Sequence, residues 1–308
     1  MKANTIGIMV IKVLSSIVDF AVLTIVIILL VFAGYALWDS NQIYQAADKS
    51  QYTIYKPTKA NQGKSFTELQ AINADVFAWL TVYGTNIDYP VTQGKDNMKY
   101  VNTNADGLYS LTGSLFLDYR NSKDFTDFNS IIYGHNMDKK AMFGEIGSFS
   151  DKKVFDSHQY GNLYFDGEDH GIEIFAFIHT DAYNSAVLTP NIREEERQAY
   201  LDNLLAMAIH KRAVEISAQD HIVLLISCSP TSTNGRDILI GKITDETYQY
   251  LQSEEVKDRL AVNDENGAVI FINLQRMLLK LILGLMIVMR FFHSHLYRCI
   301  RNGGSYEK

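Results

Sequence analysis

The sequence predicts a mainly β fold, a closed or nearly closed barrel, with apolar segments near both ends of the chain. Three observations predict it. Between residues 79 and 180, short apolar runs alternate with turn residues, as in the strands of all-β domains. One strong helical pattern, at residues 192–211, follows this series. Residues 20–38 form an uncharged apolar run that is long enough to cross the hydrocarbon core of a bilayer.

The N-terminal run predicts a transmembrane anchor at residues 20–38. Lys2 and Lys12 precede it, so the positive-inside tendency places the N-terminus in the cytoplasm and the following chain outside. The alternative is a secretory signal cleaved after Ala36, because Gly34 and Ala36 are the small residues that a signal peptidase requires. The run is longer than the usual core of a signal, which favours the uncleaved anchor.

A second apolar segment, residues 277–292, contains Lys280 and Arg290, which could reach towards opposite interfaces of a bilayer. It predicts a second transmembrane helix, and the alternative is an amphipathic helix on the membrane surface. The expected divisions are a cytoplasmic N-terminus (1–19), the anchor (20–38), a linker or helical lead-in (39–65), the catalytic domain (66–250), a juxtamembrane segment (251–276), the second span (277–292) and a basic cytoplasmic tail (293–308).

The middle of the chain is acidic, although the formal charge of the whole chain is only −7. Residues 13–275 carry 20 Lys and Arg against 34 Asp and Glu. Such a domain would repel a phosphate backbone, so nucleic acid is not an expected partner. The chain has two cysteines, Cys228 and Cys299, and neither a CxxC nor an HExxH pattern, which argues against a disulfide framework and a zinc site.

Two apolar strands, HIVLLISCS and RDILIGKIT, follow the predicted helix and flank a short loop at residues 230–235. Cys228 therefore falls near the end of one strand, and Arg236 begins the next. A short connection can bring both side chains to one rim of the barrel. His135, in the sequence YGHN, follows an earlier predicted strand.

Each of these three residues has an ordinary explanation when it is taken alone. Cys228 would be a small buried side chain, His135 a loop histidine bonded to backbone, and Arg236 an exposed charge. Together they provide the three groups that acyl transfer needs. A thiolate attacks a carbonyl, an imidazole moves protons and a guanidinium faces the oxyanion. Asp118 and Asp237 lie close in sequence to these candidate catalytic residues, and either could orient His135 or Arg236, with a surface or structural role as the alternative.

Several segments resemble the class B sortases, a family of cysteine transpeptidases. They are NADVFAWLTVYGTNIDYPVTQ, DNMKY, GSLFLDYRN, IIYGHNM followed by MFGEI, and LLISCS with Arg236 eight residues after Cys228. The resemblance spans nearly all of residues 66–245. It implies an eight-stranded sortase-type β-barrel with a long helix between late strands, an N-terminal helix and flanking transmembrane segments. It also implies that His135, Cys228 and Arg236 are catalytic, and that Asn97 and Ile226 line the groove for the sorting signal.

By this resemblance, the enzyme cleaves an LPXTG-like signal after Thr through a thioacyl intermediate on Cys228, and needs no metal or organic cofactor. The expected partners are sorting-signal proteins, either pilins or surface proteins, and an amine, either a pilin lysine or a peptidoglycan precursor. The expected location is the cell membrane of a Gram-positive bacterium, with the catalytic domain outside. Ser227 replaces the threonine that usually precedes the cysteine.

Two features bear on the choice of acceptor. A C-terminal apolar segment is more typical of class C sortases, which build pili, yet residues 39–70 lack the Asp-Pro-aromatic lid of that class. This combination favours a class B enzyme that polymerises pilins over one that anchors proteins to peptidoglycan.

Two other functions fit the same residues. One is a membrane-tethered binding barrel without activity, and the other is a cysteine protease that hydrolyses its acyl-enzyme instead of transferring it.

Overall fold

The computed structural model describes residues 2–58, 64–229 and 233–248. These residues fall into two compact units, one up to residue 37 and the other from residue 38 onward. The predicted second span at 277–292 lies outside the described residues, as do the juxtamembrane segment at 251–276 and the tail at 293–308.

Helix α1, Lys2–Ala46, contains the predicted anchor. Its stretch Met9–Ala46 contains an 18-residue window with a mean hydropathy of 2.8, and it is the one helix in the described part of the chain that is long and apolar enough to cross a membrane. Large apolar side chains along it are exposed, for example Phe20 and Phe32 at 72% and 69%. Such a surface is stable in lipid and unfavourable in water. The N-terminal apolar helix is therefore consistent with a membrane anchor or a signal.

The described residues of the second unit include nine strands, eight of which close into a barrel. They are β1 (Val76–Val82), β2 (Asp88–Thr92), β3 (Leu115–Leu117), β4 (Asn129–Tyr133), β5 (Tyr160–Phe165), β6 (Glu168–Asp181), β7 (His210–Lys211), β8 (His221–Cys228) and β9 (Gly235–Thr244). Their order is β5-β1-β2-β3-β4-β8-β9-β6-β7, and β5 also pairs with β6, which closes the barrel. The pairs β2–β3 and β4–β8 are parallel and the others antiparallel. The predicted eight-stranded barrel is confirmed, with the two-residue β7 added at the edge of β6.

The described part of the second unit contains four further α-helices. They are α2 (Lys64–Ile72), α3 (Lys152–Ser157), α4 (Ser185–Leu188) and α5 (Arg197–Met207). The long helix predicted at residues 192–211 lies between β6 and β8 as expected, but its predicted bounds are wrong. The helix begins only after a 3₁₀ turn at Glu194–Glu196, and it ends at Met207 because the next residues pair with β6.

The apolar side chains form two clusters separated by the sheet. Val223 and Leu225 of β8 point into the barrel with Trp79 and Phe143, whereas the alternating residues Ile222, Leu224 and Ile226 lie outside, in a cluster that includes Leu201 and Leu204 of α5. Because both faces of β8 are covered, its sequence reads as one continuous apolar run. Cys228, at the end of this strand, is the first residue after the run that is exposed.

Candidate active site

The ends of three strands bring the predicted catalytic residues to one rim of the barrel. Cys228 is the last residue of β8 and is the cross-strand partner of Arg236 at the start of β9. On its other side, β8 pairs with β4 in parallel, and the last partners are Tyr133 and Ile226. His135 follows β4 by two residues. Parallel strands end at the same edge of a sheet, so His135 and Cys228 lie at the same end of the barrel.

The backbone that carries His135 is fixed by close packing at Gly134. A Cβ atom at this position would lie 2.5 Å from Leu115 Cδ2 and 2.6 Å from Phe143 Cδ2, which only glycine avoids. The Gly134 amide also donates to the carbonyl of Ile226 on β8 at 3.1 Å. The β4–β8 ladder is thus extended up to the residue before the histidine.

The imidazole of His135 is half-buried and bonded to the main chain. Its Nε2 lies 2.8 Å from the carbonyl oxygen of Val101. A carbonyl oxygen only accepts, so Nε2 donates in this contact, and in the neutral form of the ring Nδ1 is the nitrogen that keeps a lone pair. The loop histidine expected from the sequence is therefore oriented by a backbone acceptor.

Asn136 joins the histidine loop to the cysteine. Its side-chain Nδ2 donates to the main-chain carbonyl of Cys228 at 2.8 Å. Sequence reasoning did not single out this residue, although it lies in the YGHN motif directly after His135. The bond holds the ends of β4 and β8 together, beyond the last pair of the ladder.

The remainder of that loop contacts the end of helix α1. The Tyr44 hydroxyl donates to Asp138 Oδ2 at 3.2 Å, and Lys139 Nζ lies 4.1 Å from the centroid of the Tyr44 ring. Lys139 and Lys140 have left-handed φ values of 56° and 60°. That conformation is uncommon for residues other than glycine, so this loop stores some backbone strain.

Arg236 is half-buried at the start of β9. Its Nη1 donates to the carbonyl of Gly235 at 2.9 Å. Within the part of the chain that the structure describes, no carboxylate lies within ion-pair distance of its guanidinium, although Asp237 is its neighbour in sequence. Asp237 instead pairs with His179 of β6, with 2.8 Å between Oδ1 and Nδ1. The suggestion that Asp237 orients Arg236 is therefore not supported by a contact.

Asp118 anchors a polar network beside the predicted groove residue Asn97. The Asn97 amide donates to Asp118 Oδ2 at 2.8 Å and accepts from the Tyr119 amide at 3.0 Å. Arg120 binds both oxygens of Asp118, and the Tyr133 hydroxyl donates to Oδ2. The bonds of Asp118 thus orient Asn97 and Tyr133 rather than His135 or Arg236.

The two predicted groove residues differ in exposure. Asn97 is half-buried, whereas Ile226 is only 2% exposed and packs in the outer apolar cluster. In this structure Ile226 has little surface to present to a peptide.

The Asp118 network also changes the protonation of its members. Burial would raise the pKa of Asp118, but the hydrogen bonds from the Arg120 side chain and amide and from Asn97 outweigh it, and the pKa is lowered. Burial, followed by the adjacent Asp118 charge, raises the pKa of the Tyr133 hydroxyl. Asp118 is therefore ionised and Tyr133 is neutral at pH 7.

A cavity of about 800 Å³ opens beside Cys228. Its lining includes Asn136, Ser148, His179, Cys228 and Asp237. Among the described residues, no group of three or more His, Cys, Asp or Glu side chains is placed to hold a metal ion.

Among curated proteins, the chain is 31% identical over 208 residues to sortase B of Listeria monocytogenes, an alignment that covers 66% of this chain and 85% of the relative. The chain belongs to the sortase B family. It is therefore a cysteine transpeptidase, as the resemblance in the sequence predicted. No protein-family model matches the chain.

Two solved structures resemble this sortase B more closely in sequence. One is sortase B from the type II pilus of Streptococcus pneumoniae, which is 46% identical, covers 59% of this chain and 99% of its own, and has a TM-score of 0.52. The other is a Streptococcus pyogenes class B sortase involved in pilus biogenesis, which is 40% identical with the same coverage and a TM-score of 0.55.

The Asp118 network gives a prediction about stability. Replacing Asp118 by Asn should lower the free energy of unfolding at pH 7 by about 1–3 kcal/mol, because buried donors lose a charged acceptor. Arg120 is 45% exposed, so its ion pair contributes little of this. The measurement is urea unfolding of the full chain in detergent micelles, with Asp202→Asn on the exposed face of α5 as the control.

The same variant has a predicted pH dependence. The pKa of Asp118 is lowered in the folded state, so its stabilisation is complete above the unfolded value of about 3.9 and is lost as the pH falls below it. The difference between wild type and Asp118→Asn should therefore shrink in acid. A difference that stays constant down to about pH 3 would contradict the assigned charge.

Proposed function

We propose that this sortase B is a membrane-anchored enzyme that cleaves an LPXTG-like sorting signal after Thr and transfers the acyl group to the lysine of a pilin. The observation that carries the proposal is the meeting of Cys228, His135 and Arg236 at one rim of the barrel, beside an open cavity. The residue roles follow from the chemistry of acyl transfer.

Cys228 is proposed as the nucleophile. It is exposed at the end of a strand whose six preceding residues are buried, so a rigid element presents the sulfur to solvent. Its Sγ attacks the carbonyl of the scissile Thr peptide bond, and collapse of the tetrahedral intermediate leaves a thioester and releases an amine. A thiol confined to a core could not perform this step, so its exposure argues against the inactive binding barrel.

His135 is proposed to protonate the departing amine. A neutral imidazole carries one proton and has one basic nitrogen, so it can mediate proton transfer between thiol and amine. The bond from Nε2 to the Val101 carbonyl fixes the ring, which supports a positioned acid and base rather than a mobile surface histidine.

Arg236 is proposed to stabilise the oxyanion. Directly opposed residues of an antiparallel pair have Cβ atoms about 4.5–5.5 Å apart, which is within reach of a guanidinium. Arg236 occupies that position opposite Cys228. Its permanent charge would face the negative oxygen that develops when the sulfur adds to the carbonyl.

The proposed membrane arrangement follows from helix α1 and the basic residues around it. An uncleaved anchor at residues 20–38, with Lys2 and Lys12 on the cytoplasmic side, places the barrel outside the cell. That is the side on which the sorting signals of a Gram-positive surface would meet it. Asn97 remains the proposed contact for the signal, with Ile226 as the less exposed second one.

The roles of Cys228 and Arg236 predict the outcome of one assay. The full chain in micelles is incubated with a panel of LPXTG-like peptides and hydroxylamine, and mass spectrometry detects the threonine hydroxamate. Cys228→Ala should give no product. Arg236→Lys should form hydroxamate on the order of 10²-fold more slowly, because the point charge of lysine does not reproduce the planar, forked guanidinium. Arg193→Lys, at an exposed arginine that pairs with glutamates, is the matched control and should stay near wild type.

Two results would contradict these roles. Hydroxamate formed by Cys228→Ala would exclude Cys228 as the nucleophile. Near-normal turnover by Arg236→Lys would remove the oxyanion role while leaving the nucleophile in place.

The pilin lysine is favoured over a peptidoglycan amine by the comparisons. The two pilus-associated streptococcal structures are 46% and 40% identical to this chain, against 31% for the Listeria sortase B. Peptidoglycan anchoring of surface proteins by the same chemistry is the second candidate.

An acceptor competition separates these two candidates. The thioacyl enzyme is offered equal concentrations of a folded pilin domain and a peptidoglycan stem peptide with a free amine, and the products are separated by mass. We expect the pilin lysine to take most of the acyl group. Preferential transfer to the stem peptide would favour wall anchoring, and equal hydrolysis with and without either amine would indicate a protease.

A further inference from the structure

The cavity beside Cys228 contains a histidine and an aspartate that the proposed mechanism does not use. His179 of β6 and Asp237 of β9 are cross-strand partners, and Asp237 is also the register partner of Ser227 on β8. These three residues form one row across three strands. The row is one residue away from the rim position of Cys228.

The two side chains form a defined pair, named here the His–Asp pair. Asp237 Oδ1 lies 2.8 Å from His179 Nδ1. The Asp237 side chain is 9% exposed and that of His179 is 37% exposed. An ionised carboxylate only accepts hydrogen bonds, so Nδ1 donates to Asp237, and in the neutral form of the ring Nε2 is the nitrogen that keeps a lone pair. A buried carboxylate thus holds a more exposed imidazole in one tautomer.

Other charged side chains that line the cavity have partners of their own. Lys140 forms an ion pair with Glu145 at 3.1 Å, and Lys139 lies over the Tyr44 ring. Asp138 accepts from the Tyr44 hydroxyl. The side chains of His179 and Asp237 are hydrogen-bonded to each other. The carboxylate of this pair gives this part of the cavity a negative charge that suits a cationic ligand.

The His–Asp pair and His135 lie on different sides of the nucleophile. The strand order is β4-β8-β9-β6, with His135 after β4, Cys228 at the end of β8 and His179 on β6. Neighbouring strands are about 4.8 Å apart, so the His179 strand is about 10 Å from β8. His135 bonds the Val101 carbonyl and does not line the cavity. In the strand order, Cys228 thus lies between the strand that leads to His135 and the strand that carries His179, and one cavity is lined by both Cys228 and His179.

We infer that this cavity receives the acceptor, a primary amine on a lysine side chain, and that His179 takes a proton from it. The inference rests on the proposed function, because it assigns the second half of that reaction. A lysine arrives as an ammonium ion and cannot attack a carbonyl until it loses a proton. The negative pair attracts the cation, and the oriented Nε2 lone pair accepts the proton.

The ammonium transfers one proton to His179 Nε2, which leaves a neutral amine and an imidazolium stabilised by Asp237. The amine nitrogen attacks the thioester carbonyl, the C–N bond forms, and the C–S bond breaks with its electron pair on Cys228 Sγ. The second amine proton goes to the thiolate through His135, which restores the thiol. The imidazolium then releases its proton to water.

The test compares two amines on one thioacyl enzyme. The full chain in micelles is loaded with an LPXTG-like peptide and treated with Nα-acetyl-lysine methylamide or with hydroxylamine, which is already neutral at pH 7. His179→Gln should lower the rate with the lysine amide about tenfold while the rate with hydroxylamine changes less than twofold. Asp237→Asn should show the same split, because the carboxylate that fixes the tautomer is lost.

His221→Gln is the matched control. His221 is an exposed histidine at the opposite end of β8, bonded to the Asp127 carbonyl, and its replacement should leave both rates unchanged. If His179→Gln leaves the lysine rate unchanged, the inference is overturned, and it is equally overturned if both amines slow together, which indicates a structural role. His179 lies at an exposed position, so this variant decides the matter even if Asp237→Asn does not fold. No thioacyl product from the wild type would instead refute the proposed function.

Discussion

The location of the active site depends on how strand β8 is paired. It is parallel to β4 on one side and antiparallel to β9 on the other. Its last residue, Cys228, is the cross-strand partner of Arg236, near the start of β9. A shift of either ladder by one residue would turn its side chains to the opposite face. The shift is opposed by apolar packing on both faces of β8, inside the barrel and beneath α5. The same burial that stabilises the fold therefore sets the register of the nucleophile and the arginine.

The segment after β4 positions His135 relative to Cys228. Gly134 allows the close approach to Leu115 and Phe143, and Asn136 ties the segment to the Cys228 carbonyl. The same segment then meets the end of helix α1 through Tyr44. Residues 135–139 thus link the rim of the barrel to Tyr44, near the last residues of helix α1.

Local patterns in the sequence predicted the strands and the closeness of Cys228 and Arg236, because a short hairpin leaves few other arrangements. The approach of His135 depends on a parallel ladder between strands more than 90 residues apart, and only the family resemblance suggested it. The helix at 192–211 is shorter than its pattern because β7 pairs with β6, a tertiary contact that overrides helix propensity. The His179–Asp237 pair spans 58 residues and depends on the register of two strands, which no local signal encodes.

Direct location of the acyl group tests whether Cys228 is the nucleophile. The full chain is incubated with a sorting-signal peptide without an acceptor, quenched in acid, digested and analysed by tandem mass spectrometry. We expect the added acyl mass on the fragment that contains Cys228, with Cys299 unmodified. An acyl group on Cys299, or on neither cysteine while the signal peptide is cleaved, would contradict the role of Cys228.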